Sequence, residues 1–222
     1  MSHRVLLVLT SHGDLGGVRP TGWYVGEAAH PWEQFRSAGY DVDVASIAGG
    51  VAPQDGLDLD DPAQKAFLED DHIAAQLADT PRLADVDPAS YDAVLYVGGH
   101  GTMWDFPKDP DVARVGRAVF EDGGVVAAVC HGPSALLGIT LSDGSSILAG
   151  RRVAGFTNAE EEAVGLTEAV PFLLQDELVA RGATHVPAPD FTDHVVVDGR
   201  LVTGQNPQSA GSVGTAVVEL LG

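Results

Sequence analysis

Short apolar runs alternate with segments of helical periodicity along most of the chain. Residues 5–9, 42–47, 93–97, 125–129, 152–155, 195–197 and 201–202 read as strands. The runs at 93–97 and 125–129 are apolar at nearly every position, as in strands covered on both faces, where no side chain meets water. Between the runs, Val25, Ala28, Ala29 and Trp32 fall at i, i+3, i+4 and i+7 and so share one helix face. Pro31 removes an amide there and leaves the Glu27 carbonyl without its helical donor, which predicts a kink or an irregular helix start. Asp109-Pro110 reads as an N-cap and first helical residue ahead of the stripe Val112, Val115 and Val119. Asn206-Pro207 reads the same way ahead of Val213, Ala216, Val217 and Leu220. The alternation predicts an α/β domain with a mainly parallel sheet flanked by helices on both faces. Residues 48–91 are long for a plain crossover. They predict a helix from about residue 62 to 77 between Asp- and Pro-rich loops, an insertion lying over one end of the sheet. No repeat or linker composition divides residues 1–222, so one domain is expected.

Composition narrows the function. Twelve Lys and Arg stand against 32 Asp and Glu, a formal net charge of −20. Nucleic acid and anionic lipid both need clustered cations, so neither is an expected partner. Lysine occurs only at 65 and 108, and such an acid-rich, lysine-poor surface fits a salt-adapted host or a high-GC genome. The single cysteine offers no internal disulfide and fits a reducing compartment. The run 5–9 is too short for a signal-peptide core, and no apolar stretch is long enough to span a bilayer, so a cytoplasmic location is expected.

The chemistry concentrates where the apolar run 125–129 ends at Cys130 and small residues lead at once into a helical pattern through Ser134, Ala135, Leu136 and Leu137. A strand–nucleophile–helix elbow lifts a side chain out at the carboxyl edge of a sheet, where open α/β folds bind ligands. Amides at the start of the next helix hold an oxyanion there, and the helix dipole lowers the thiol pKa. A lone cysteine is otherwise more often a small core residue. His131 serves its neighbour only if the turn is sharp, because successive residues of a regular helix point apart. The remaining histidines show no metal-ligand spacing, so no metal and no cofactor are expected.

Ala128-Val129-Cys130-His131-Gly132-Pro133 resembles the nucleophile motif of the ThiJ/PfpI superfamily, whose fold is related to class I glutamine amidotransferases. Three further segments resemble its glutathione-independent glyoxalase III and heat-shock chaperone branch. They are Thr21-Gly22-Trp23-Tyr24-Val25-Gly26-Glu27-Ala28-Ala29-His30-Pro31-Trp32, Gly98-Gly99-His100-Gly101-Thr102-Met103-Trp104-Asp105-Phe106-Pro107, and Asp198 through Ala210. The matches follow the family's order over nearly the whole chain. The resemblance implies a flavodoxin-like, class I glutamine amidotransferase-like sheet, with Cys130 as nucleophile, His131 as its base and Glu27 as the carboxylate against the sulfur. Glu161 matches the third acid of the triad, though Glu160 and Glu162 flank it, and a solvated acidic helix start is the alternative. Gly98 and Gly99 would bring an amide to the oxyanion, partnered by the amide of His131, with His100 and Trp104 at the pocket rim.

What the resemblance implies for activity is a cofactor-independent glyoxalase III, a lyase of the lactate dehydratase type that turns methylglyoxal and water into lactate. Removal of early glycation adducts from proteins would use the same residues. A stress-related holding chaperone that binds unfolded clients is the alternative from another class, and cysteine peptidase activity follows from nucleophile–His–acid logic alone. A homodimer is expected by resemblance. Glutamine amidotransfer is disfavoured, since no His-x-Glu motif follows Cys130.

Overall fold

The apolar runs assemble into a central sheet at whose carboxyl edge the chemistry-bearing segments meet. In this computed structural model, which describes residues 2–222, the elements in chain order are β1 (Arg4–Leu9), β2 (Trp23–Tyr24), α1 (Val25–Ser37), β3 (Asp41–Ser46), β4 (Gln54–Asp55), α2 (Pro62–Glu69), α3 (Asp71–Ala78), β5 (Ala93–Tyr96), α4 (Thr102–Asp105), α5 (Pro110–Glu121), β6 (Val125–Val129), β7 (Arg152–Val153), α6 (Asn158–Ala163), α7 (Leu174–Ala180), β8 (Thr184–His185), β9 (Val195–Asp198), β10 (Leu201–Gly204) and α8 (Ala210–Leu221).

The main sheet has six strands in the order β3-β1-β5-β6-β10-β9. Five run parallel, and β9 joins β10 antiparallel at the edge. β5 and β6 are buried at every residue, as their unbroken apolar runs require. Helices α1 and α8 pack together, with α8 against β6 and β10, while α5 packs on β5 and β6. Burying a side chain such as Leu7, Leu95 or Val126 contributes about 1.5–3 kcal/mol. The chain leaves β1 toward β3 on one side and β5 toward β6 on the other. The crevice where open α/β sheets take ligands therefore lies at the carboxyl ends of β1 and β5. Among the described residues no helix is long and apolar enough to cross a membrane.

Several local expectations change. The helix expected over 62–77 is two helices, broken at Asp70, whose extended backbone and carboxylate cap α3 through the amides of His72 and Ile73. These helices pack on α1 and on the edge strand β3 rather than over the sheet end, and Gln76 accepts a hydrogen bond from the Val44 amide at 2.6 Å. Two parts of the 48–91 segment do reach the carboxyl side: its start, where β4 pairs with β2, and residues 80–82, which bridge Ser46 at the end of β3 and Gly50. Helix α1 begins six residues before Pro31 and runs through it without a break. In the 152–155 run only Arg152 and Val153 form a strand, paired with β8 in a separate two-stranded ladder beside β9 and β10, and it ends where the Ala154 amide turns to the Thr203 hydroxyl of β10 at 2.8 Å. Asn206 caps no helix. Pro207–Ser209 form a single 3-10 turn before α8, and the Asn206 amide donates instead to Glu160 (2.9 Å) and to the Thr192 carbonyl (2.8 Å). Asp109 does cap α5, accepting from the amides of Asp111 and Val112.

Candidate active site

Cys130 stands at the carboxyl end of β6 with φ of +60°, a conformation that residues with a Cβ rarely adopt. The surroundings enforce it: its amide donates to the Gly204 carbonyl (3.0 Å), and its carbonyl accepts from the Phe156 amide (2.9 Å). Any side chain at Gly132 would strike the Tyr96 carbonyl, so glycine is what lets the turn close against β5. The segment that follows, Gly132–Gly138, is 3-10 rather than α-helical.

This sharp turn folds His131 back onto its neighbour. Cys130 Sγ lies 3.3 Å from His131 Nδ1, and His131 Nε2 lies 2.7 Å from Glu161 Oε2. The other oxygen of Glu161 accepts from His100 Nε2 at 3.0 Å. Of the three successive glutamates, Glu161 is the one that meets the His131 ring. Its neighbour Glu160 forms a capping box with Thr157 at the start of α6 and accepts from the Phe191 amide, Gln205 and Asn206, while Glu162 is exposed. The His131 ring packs 4.1 Å from that of His100 and 4.4 Å from that of Phe156.

Burial sets the protonation states. It would raise Glu161, but hydrogen bonds from His100 and His131 outweigh it and hold the carboxyl at about 2. Burial, then the neighbouring His100, depresses His131 to about 4, so the ring is neutral at neutral pH. The ionised Glu161 fixes the His131 proton on Nε2, which leaves the Nδ1 lone pair facing the Cys130 thiol. Glu27, in the first turn of α1, is fully buried, and desolvation pushes it up to about 8. The Cys130 thiol and the Gly98 amide face it, yet among the described residues neither of its oxygens has a partner of good hydrogen-bond geometry. It therefore carries a proton at neutral pH. Cys130 itself departs from the sequence expectation. Burial, with the charge of Glu27 next, pushes its thiol up, and the His131 amide offsets this only in part. A 3-10 start supplies too little aligned dipole to reverse the effect.

Gly98 and Gly99 connect β5 to this cluster. A Cβ at Gly98 would strike both the Glu27 carboxyl and the Val129 carbonyl, so Gly98 is the gap into which Glu27 fits. Gly99 (φ +103°) lies against the backbone of Gly22 through Tyr24. The cavity measures about 350 Å3 and is lined by Arg19, Tyr24, Glu27, Asp55, Gly99, His100, Cys130 and His131. Phe156, Val164, Leu166 and Phe191 form its apolar side, with Pro207 and Gln208 at one edge. Two expected residues are not on its wall. Gly98 sits behind Glu27, and Trp104 stacks on His12 (4.9 Å) because Asp105 anchors α4 to the Thr10 hydroxyl and the Ser11 amide. Sequence reading missed Arg19, Asp55 and Phe191. The one signal for Arg19 is a cation in an acid-rich chain two residues before the Thr21-Gly22-Trp23-Tyr24 segment.

His100, His131 and Glu161 place three donor atoms within 4.8 Å of one another. Both imidazoles already use Nε2 on Glu161, the pattern of an oriented base rather than of an open ligand set. A larger groove of about 580 Å3, lined by Arg4, Trp32, Arg36, Asp43 and His72 among others, lies at the amino ends of β1 and β3 and holds no nucleophile.

Compared with known proteins, the chain matches the DJ-1/PfpI family over residues 24–220. It is 33% identical over 233 residues to the Saccharomyces cerevisiae glutathione-independent glyoxalase HSP31, with 98% of each chain covered. Among solved structures it resembles the Francisella tularensis rapid encystment protein of 24 kDa (36% identity, 99% of each chain, TM-score 0.95). It also resembles glyoxalase III from Candida albicans (31% identity, 98% and 97% of the two chains, TM-score 0.89).

Proposed function

The chain belongs to the DJ-1/PfpI family, in the branch of the glutathione-independent glyoxalases, and on that premise we propose that it converts methylglyoxal and water to lactate without glutathione. The observation that carries this reading is the relay of Cys130, a neutral His131 and an ionised Glu161, set beside a protonated Glu27 in a largely apolar cavity.

In the proposed cycle His131 Nδ1 takes the Cys130 proton as the thiolate attacks the aldehyde carbon. The amides of Gly99 and His131 receive the oxyanion, and the proton on His131 then neutralises it to give the hemithioacetal. The base is free again and removes the C1 proton while the Glu27 acid gives its proton to the C2 oxygen, forming an enediol. His131 then returns the proton to C2 as the C1 hydroxyl gives its own proton back to Glu27, leaving a thioester. Hydrolysis releases lactate and restores the thiol, so methylglyoxal and one water account for every atom. The near-neutral value of Glu27 suits proton delivery at neutral pH.

The test is lactate formation from methylglyoxal without glutathione, with Cys130→Ala alongside. Wild type should turn over, and the variant should lose at least about 10³-fold in kcat, as when a nucleophile is deleted. An inert wild type with its thiol shown free ends the glyoxalase reading. A second reading, a holding chaperone, has in its favour the exposed apolar side chains Val51, Leu57 and Leu59 on the 48–91 segment. Suppression of client aggregation that survives Cys130→Ala would mark it.

A further inference from the structure

The cavity has more room than its proposed substrate needs. Its volume of about 350 Å3 falls in the range of roughly 300–1,000 Å3 typical of drug-sized ligands, whereas methylglyoxal is a three-carbon molecule. The charged side chains on the wall, besides the two histidines, are Arg19, Glu27 and Asp55. With Glu27 protonated, Arg19 and Asp55 carry the formal charges.

These two differ in how fully they are occupied. Asp55 Oδ2 accepts from Arg19 Nη1 (2.8 Å) and the Thr21 hydroxyl (3.1 Å), and its Oδ1 accepts from the Gly56 amide (2.9 Å). Arg19 donates through Nη1 alone, to Asp55 and to the Pro20 carbonyl (2.9 Å). Among the described residues its Nε and Nη2 bond to nothing. Those two donors form the edge of a guanidinium that meets a carboxylate in two parallel hydrogen bonds. This guanidinium, anchored through one nitrogen and with that edge free, stands on the wall that also holds Cys130.

We propose that the cavity takes 2-oxoaldehydes bearing a carboxylate at the end remote from the aldehyde, and that Arg19 receives this carboxylate. The proposal rests on the glyoxalase reading. The chemistry is unchanged: the aldehyde end gains one water and becomes a 2-hydroxy acid, while the remote carboxylate takes no part in bond making. Phe156, Leu166 and Phe191 supply apolar contact for the methylenes between the two ends.

The probes are 4,5-dioxopentanoate, with 2-hydroxyglutarate as its product, and 2-oxohexanal, of similar length but uncharged. Wild type should favour the acid at least tenfold in kcat/KM. Arg19→Gln should cut that preference at least tenfold, chiefly through KM, and Arg19→Lys should restore part of it as a point charge without the fork. A wild-type preference near unity, or one that Arg19→Gln leaves intact, overturns the proposal and makes Arg19 a surface ion pair. If methylglyoxal and both probes are inert, the glyoxalase reading has failed, and the subsite is judged separately by calorimetric titration of Cys130→Ser protein with 2-hydroxyglutarate. At least tenfold weaker binding after adding Arg19→Gln supports the subsite, and equal binding overturns it.

Discussion

Both ends of the parallel sheet carry a carboxylate that gathers donors, and only one end has the makings of a reactive site. At the amino end Asp43 accepts from Arg4, His72, Gln76 and Tyr91. At the carboxyl end Glu161 accepts from just two imidazoles. Asp43 has more partners, but His72 and Arg4 are well exposed; the hydrogen bonds hold Asp43 low against its burial, and burial beside Asp43 pushes Tyr91 up to about 12, so no member is poised to exchange a proton near neutral pH. Around Glu161 the side chains are buried, and the same kind of contact drives neighbouring groups apart, with Glu161 at about 2, His131 at about 4 and Glu27 at about 8. Exclusion of water, more than the number of hydrogen bonds, separates a structural polar cluster from an acid–base set.

The largest expected effect tests that contrast directly. Glu161→Gln keeps the shape but loses the charge that fixes the His131 tautomer, and kcat for methylglyoxal should fall by about 10²–10⁴-fold. A fall below tenfold would place the two ends on a par.

Next in size is the response to pH. Activity should decline as pH rises through about 8, where Glu27 loses its proton, and as it falls through about 4, where His131 gains one. Stability carries the same signs. Glu27 is raised from 4.5 to about 8, so the folded chain binds the extra proton and stability falls as pH climbs across that window. His131 is lowered from 6.5 to about 4, so its contribution is lost as pH drops across that window. Thermal melts of Glu27→Gln should show a flatter decline than wild type as pH rises from 4.5 to about 8, and parallel curves would mean that Glu27 is not the group responsible.

The smallest effect belongs to the amino end. Asp43→Asn should leave glyoxalase kcat within a factor of two and shift stability by only about 1 kcal/mol in denaturant unfolding. A large loss of activity would link the two ends of the sheet.

At the carboxyl end the hydrophobic pattern pointed to Cys130 and His131, which follow the apolar run 125–129, whereas Glu27, Gly98, Gly99 and His100 were legible only through the resemblance of their contiguous segments. Local pattern also found Asp109, whose cap depends on the next three residues alone. It failed where a distant partner decided the outcome. Asn206 has the local look of a cap, yet the buried carboxylate of Glu160 claims its side chain. Trp104 follows the glycine-rich loop in sequence but is carried off the wall by the anchoring of Asp105. Arg19 and Phe191 arrive on loops whose paths no periodicity encodes. The expected drop in the thiol pKa failed for a related reason, since burial is a property of the whole fold and a helix start is a local one.

Helix α6 spans only six residues, and it presents Glu160 and Glu161 in succession about 100° apart around its axis. One holds the loop of Phe191, and with it the cavity wall; the other holds the ring of His131. A substitution that shifts this turn disturbs both at once. In genetic terms, substrate range and catalytic competence are linked traits here, and a lineage drifting toward a wider cavity must find its changes elsewhere on the rim.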